Sequence, residues 1–200
     1  ERVLVVKRAN TMTPSASKFW SSFARNIAKL PKHREVAFRL GVGAREEETP
    51  IPQALGDFEL AWSLSDVKFT SEEKKILGTL MMKSLYRVGL GELAWPDENN
   101  FFIDKFDEEL TIDFEVEGGR VDSYTESIPF GMDYEEEIHE SLESLLGKPK
   151  RGFIDLKFLP EGEDHNRIIW EVRMAFDLNR IKIPVPEALL KAFKDGYSHA

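Results

Sequence analysis

The sequence predicts an α+β protein, with a mainly antiparallel sheet and helices packed on one of its faces. Two observations carry that expectation. Short runs rich in β-branched and aromatic residues are joined mostly as hairpins, and amphipathic stretches of helical period separate them. The chain has 200 residues, 42% of them apolar and 32% charged, which are globular values. A compact domain of that size hides roughly 70% of its unfolded surface and needs no staples. One domain over residues 1–200 is expected. The loop at 44–56 and a polar stretch near 92–100 ("AWPDENN") are the places where a boundary could fall.

In chain order, "RVLVVKR" reads as a strand. Thr13 is placed to cap a helix with Pro14 at its first position, and Pro31 stops that helix near Leu30. "EVAFRLGVG" and "DFELAWSLSDVKF" read as strands on either side of the 44–56 loop. "TSEEKKILGTLMMKSLYRVGLG" predicts a helix. Thr70 and Glu73 form its capping box, Ile76, Leu77, Leu80, Met81, Leu85 and Val88 its stripe, and Gly89 or Gly91 its end. With "NNFFIDKF" as one more strand, the first half takes a ferredoxin-like βαββαβ order.

The second half reads as ββαββα. "ELTIDFEVEGGRVDSYTES" predicts a hairpin turning at Gly118–Gly119. A helix follows, capped by Asp133 and Glu136, striped by Tyr134, Ile138, Leu142 and Leu145, and stopped by Gly147 and Pro149. "RGFIDLKFL" and "RIIWEVRMAF" form a second hairpin. Pairing Lys157 with Glu171 and Asp155 with Arg173 aligns Phe158 with Trp170, Leu156 with Val172 and Ile154 with Met174, so one face is apolar and the other salt-paired. "PVPEALLKAFKDG" is the terminal helix.

Charge and composition bound the function. There is no cysteine, which removes disulfides, thiolate metal sites and a cysteine nucleophile. No apolar run reaches the roughly 18–20 residues that span a bilayer. The chain starts at Glu1 without a visible secretory signal, so a processed chain or an excised fragment is expected. The formal charge is −9, yet residues 1–45 hold ten basic residues and only Glu1 and Glu35 as acids. Such asymmetry points to an electrostatic partner, inside or outside the molecule.

The basic segment is sharply divided on a helical wheel. Phe19, Trp20, Phe23, Ile27 and Leu30 share a sector, with Lys18, Arg25, Lys29 and Lys32 opposite. The aromatic side fits a core. The basic side is a solvated surface, an internal partner for the acidic remainder, or a docking face for an anion. Within the docking reading a protein partner comes first. The acidic remainder would repel phosphate, and no nucleic-acid motif is present. A membrane-surface helix would need the aromatic face that the fold needs. The segment shares an Arg- and Ser-rich, acid-poor composition with organellar transit peptides, but a strand is read ahead of it. The expected location is intracellular and cytoplasmic, with an organelle as the alternative.

Chemical motifs are sparse. "GVG" at 41–43 and "GLG" at 89–91 lack the remaining elements of a phosphate loop, and no G-x-S-x-G elbow occurs. Glu135, Glu136 and His139 have metal-ligand spacing once, where a di-metal bundle needs it twice. No metal and no cofactor are therefore expected. Asp113, Glu115 and Glu117 alternate with Ile112, Phe114 and Val116, which reads as the solvent side of an amphipathic strand. The leading expectation is a non-enzymatic interaction or structural protein. Its binding residues would be Lys18, Arg25, Lys29, Lys32 and Arg34, with Trp95 as an exposed anchor, and its acidic 133–146 helix an opposed surface. Opposed patches would also permit head-to-tail self-association. The alternatives are a small-molecule enzyme using carboxylates with His139 or His165, and a binder of nucleic acid or another anionic ligand.

Overall fold

A computed structural model describes residues 12–88, 96–122, 131–160 and 165–200. The architecture is α+β, as expected. Among the described residues, four antiparallel strands lie in the order β1-β2-β4-β3. They are β1 (Pro96–Phe106), β2 (Glu109–Asp122), β3 (Arg151–Pro160) and β4 (His165–Asp177). The helices are α1 (Pro14–Ala28), α2 (Pro31–Glu46), α3 (Ile51–Ala61), α4 (Ser71–Val88), α5 (Gly131–Leu146) and α6 (Glu187–His199). From β1 onward the order is ββαββα.

α1 forms for the reasons read in its sequence. The Thr13 hydroxyl accepts from the Ala16 amide at 3.1 Å, and Pro14 occupies the first turn. Its apolar side is sealed: Phe19, Trp20, Phe23 and Ile27 are at most 1% exposed. The Trp20 ring meets Phe19, Phe23 and Phe176 edge-on, with centroids 5.1, 5.8 and 5.4 Å away. Its indole N–H donates to the Leu146 carbonyl at 2.7 Å, and the Thr13 hydroxyl donates to the Ser144 carbonyl at 2.6 Å. These bonds tie α1 to the end of α5.

The two predicted strands at 35–43 and 57–69 are a correction. Residues 35–43 lie inside α2, and 57–61 close α3 before a short 3₁₀ turn at Leu64–Asp66. The ferredoxin-like βαββαβ order is therefore not formed; its first strand, "RVLVVKR", lies outside the described residues. Pro31 stops α1 and also starts α2, with Pro52 in the first turn of α3, since both prolines need only the preset φ of a first turn. Val36, Leu40 and Leu60 mimic strand alternation but stay 49%, 52% and 88% exposed. The loop at 44–56 shrinks to a link closed by Glu48, whose φ of 61° turns the chain as the residue after a helix end often does.

α4 carries the expected box: the Glu73 amide donates to the Thr70 hydroxyl at 3.2 Å, and the Thr70 amide to the Glu73 carboxylate at 3.0 Å. Its buried face centres on Leu77, Met81, Met82 and Leu85, while Ile76 of the expected stripe is exposed. α5 begins at Gly131, ahead of the expected cap Asp133. The side chains of Asp133, Tyr134, Glu136 and Ile138 lie outside the described residues. Leu142 and Leu145 are buried, and Gly147, at φ 88°, ends the helix.

The sheet keeps the expected faces and changes two pairings. Ile112, Phe114 and Val116 of β2 point into the core, while Asp113 and Glu115 stand on the other side. The chain does not turn at Gly118–Gly119. β2 runs through, pairing Glu117 with Ile169 and Gly119 with Ile168, so Gly118 is an extra residue of a β-bulge. The turn comes earlier, at Asp107–Glu108, with Phe106 paired to Glu109. The β3–β4 register is also corrected by two residues. Lys157 faces Ile169, Asp155 faces Glu171 and Leu156 faces Trp170. A two-residue slip leaves every side chain on its own face, so the apolar pattern cannot choose between these registers. Arg173 finds its carboxylate across the other neighbour, with Nε 3.0 Å from Asp113 Oδ1.

Two apolar clusters result. The larger joins α1, α4, the end of α5 and the inner face of the sheet. The smaller joins α2, α3 and α6 around Ala37, Ala54, Phe58, Leu189 and Phe193. Trp62, at the end of α3, packs against both.

Candidate functional site

The expected cations lie on two successive helices. Residues seven and eleven apart return to the same side of an α-helix, so Lys18, Arg25 and Lys29 form a row along α1. All three are exposed, as are Lys32 and Arg34 in the first turn of α2. Among the described residues none of the five enters a salt bridge. Arg34 donates to the Lys29 carbonyl at 3.3 Å, which draws the two helix ends together. The row is rigidly presented, because the opposite side of α1 is the centre of the core.

α5 packs beside α1, through the Trp20–Leu146 and Thr13–Ser144 bonds at its C-terminal end. Trp95 lies outside the described residues. His139 is half-exposed and stands 3.6 Å from Glu143 one turn on, an arrangement of a solvated helix face. His165 opens β4 opposite Asp122, and its side chain lies outside the described residues. Neither histidine lies on α1 or α2. Among the described residues no group of three His, Cys, Asp or Glu side chains is placed to hold a metal, and no helix is long and apolar enough to cross a membrane.

Sequence reasoning missed a cleft beside the row. A cavity of about 320 Å³ opens between the end of α1, α2, the end of α3 and the segment that leads to α4. Its walls are apolar: Ile27, Val36, Leu40, Phe58, Trp62 and Leu189. Its polar lining is Lys32, His33, Ser63, Asp66 and Lys68. His33 is 13% exposed, and its Nε2 is buried without a hydrogen-bond partner among the described residues. Glu73 Oε2 is 3.8 Å away, too far for a hydrogen bond. Burial pushes the imidazole below its ordinary pKa; Glu73 pulls it up in part, and Lys32 pushes it down further. Hydrogen bonds from Thr70 hold the Glu73 carboxyl below its ordinary value. The cleft was hidden because its walls come from two stretches that read as strands.

Comparison with known protein families, with curated proteins and with solved structures finds no match for this chain.

Proposed function

We propose that the chain is a non-enzymatic interaction protein that docks an acidic protein surface, a second copy of itself included, through Lys18, Arg25, Lys29, Lys32 and Arg34. The observation that supports this reading is the row itself. Five cations, Lys18, Arg25 and Lys29 along α1 and Lys32 and Arg34 in the first turn of α2, are exposed and outside any salt bridge among the described residues, and the other side of α1 is locked in the core. Complementary charge of this kind raises encounter rates and selects partners more than it adds affinity.

The adjacency of α1 and α5 changes the geometry of self-association. Basic and acidic helices side by side favour a two-fold contact, in which each copy's row meets the other's α5, over an open head-to-tail chain. The test is molar mass by light scattering at low and high salt, for the wild type and for the triple variant Lys18→Glu, Arg25→Glu, Lys29→Glu. Poly-glutamate, followed by calorimetry, serves as a probe for an external acidic partner. The expected result is salt-sensitive binding of one or both by the wild type and of neither by the variant. Equal behaviour of the two proteins at every salt concentration sinks the reading.

A further inference from the structure

The cleft where the two apolar clusters meet is lined in two tiers. Its floor is sealed and apolar: Ile27, Ala37, Phe58, Val67 and Leu189 are each at most 8% exposed. They come from α1, α2, α3, α6 and the segment before α4. Its mouth is apolar as well. Val36 and Leu40, one turn apart on α2, are 49% and 52% exposed, and Ala61 at the end of α3 is exposed beside Trp62. Leu60, next to Ala61 in the chain, is 88% exposed. Single exposed apolar residues need no explanation, but several gathered at the mouth of a concavity mark a binding site. Small-molecule sites are concave, mostly apolar and about 300–1,000 Å³ in volume, a range this cleft enters at its lower end.

Charge and size narrow the occupant. The charged groups in the lining are Lys32, Lys68 and Asp66, all exposed, and Glu73 stands 3.8 Å from His33. Two cations and two carboxylates cancel. Burial disfavours the charged form of His33, and its Nε2 is closed off from the cleft. An ion entering the apolar floor would lose its hydration with no net opposite charge to replace it. An uncharged molecule escapes that cost. An apolar cavity of about 150 Å³ takes up benzene, so one of about 320 Å³ has room for roughly two rings. A partner's helix, about 10–12 Å across with its side chains, does not fit that space. Aromatic pairs add to what buried area supplies, so Phe58 and Trp62 in the lining favour rings over a flexible chain. We propose that this cleft binds an uncharged aromatic molecule of roughly ten to twelve carbons, in contact with Phe58, Trp62, Val36 and Leu40. Its binding takes the half-exposed Val36 and Leu40 out of water, which supplies the driving force.

The experiment titrates the whole chain with 2-naphthol, uncharged at neutral pH, and separately with 2-naphthoate and 2-naphthylmethylammonium, by calorimetry and methyl NMR. Naphthol should bind saturably, one per chain, and at least tenfold more tightly than either ion. The methyl signals it shifts should be those of Val36, Leu40 and Leu189, which locates the site in the wild type without any substitution. Leu40→Glu, at a half-exposed position on the mouth, should weaken naphthol at least tenfold. The triple glutamate variant of the α1 row should bind naphthol as the wild type does, so this proposal and the docking proposal fail separately. No saturable binding, equal affinity for either ion, or shifts confined to other methyls would each overturn the site. So would self-association that survives in the triple variant and is lost in Leu40→Glu, which would give the cleft to a side chain of a second copy.

Discussion

The two apolar clusters close by opposite means. The sheet-backed cluster is filled by large side chains: Phe19, Trp20, Phe23 and Phe114 are at most 2% exposed. The helical cluster closes by leaving side chains out. A Cβ on Gly41 would stand 2.0 Å from the Phe193 carbonyl oxygen, and one on Gly196 would stand 2.0 Å from that of Phe38. The two contacts are reciprocal, so the backbones of α2 and α6 nearly touch where these glycines face each other. Phe58 stacks on Phe193 beside this crossing at 4.8 Å, and the Tyr197 hydroxyl closes the far end by donating to the Thr49 carbonyl at 2.6 Å. The first cluster gains its stability from buried area and dispersion. The second gains it from close approach, and it leaves Val36 and Leu40 half in solvent beside the cleft. A region held by backbone proximity can carry an open pocket on its flank; a region filled by aromatic rings has no such room.

The contrast can be broken from either side. The largest expected effect is Trp20→Ala, which empties the first cluster and strips the Leu146 carbonyl of its donor. It should lower the unfolding free energy by about 3–5 kcal/mol in urea denaturation. A loss near that of an exposed site would mean that α1 is not the centre of the core. Next is Gly41→Ala or Gly196→Ala. Each places a methyl against backbone that cannot swing aside, and each should cost about 1–3 kcal/mol or more. Hydrogen exchange should then quicken in α2 and α6 while α1 stays protected. Tolerance of both changes would refute closure by glycine contact.

The smallest expected effect concerns pH, at the seam between the clusters. The folded-state pKa of His33 is lowered, chiefly by burial. The unfolded chain therefore takes up the proton first. The stability that rests on neutral His33 is present above its unfolded value of about 6.5 and is lost as pH falls from there toward the folded value. The carboxyls of Glu73 and Asp104 are also lowered, so their contributions are lost in a more acidic window, below the ordinary carboxylate range. The urea midpoint of the wild type should drop between pH 7 and the onset of the carboxylate window, and His33→Phe should flatten that slope. An unchanged slope in the variant would assign the loss to other groups.

Much of this was legible in the chain, and the failures share a cause. The division of α1, the capping box of α4, the inner and outer faces of β2 and the terminal helix α6 follow from local signals that burial then reinforced. α2 and α3 were misread because their apolar residues also fit a two-residue period, and each proline was taken only as punctuation. Only packing distinguishes the two readings: Ala37 and Gly41, one turn apart, are buried while Val36 and Leu40 are not. The basic row was visible as a pattern. The cleft was not, since its lining is gathered from α1, α2, α3 and α6.

By itself the sequence determined the class of the fold, the charge asymmetry, and which sides of α1 and β2 face inward, because period and polarity are properties of neighbours in the chain. The tertiary structure alone decided the β3–β4 register, the position of α5 beside the basic helix, and the cleft at His33. A register slip of two residues preserves every local pattern, so the choice falls to the whole sheet, where Asp113 on β2 takes Arg173. The closeness of α2 and α6 depends on two glycines that are far apart in sequence and meaningful only when they face each other.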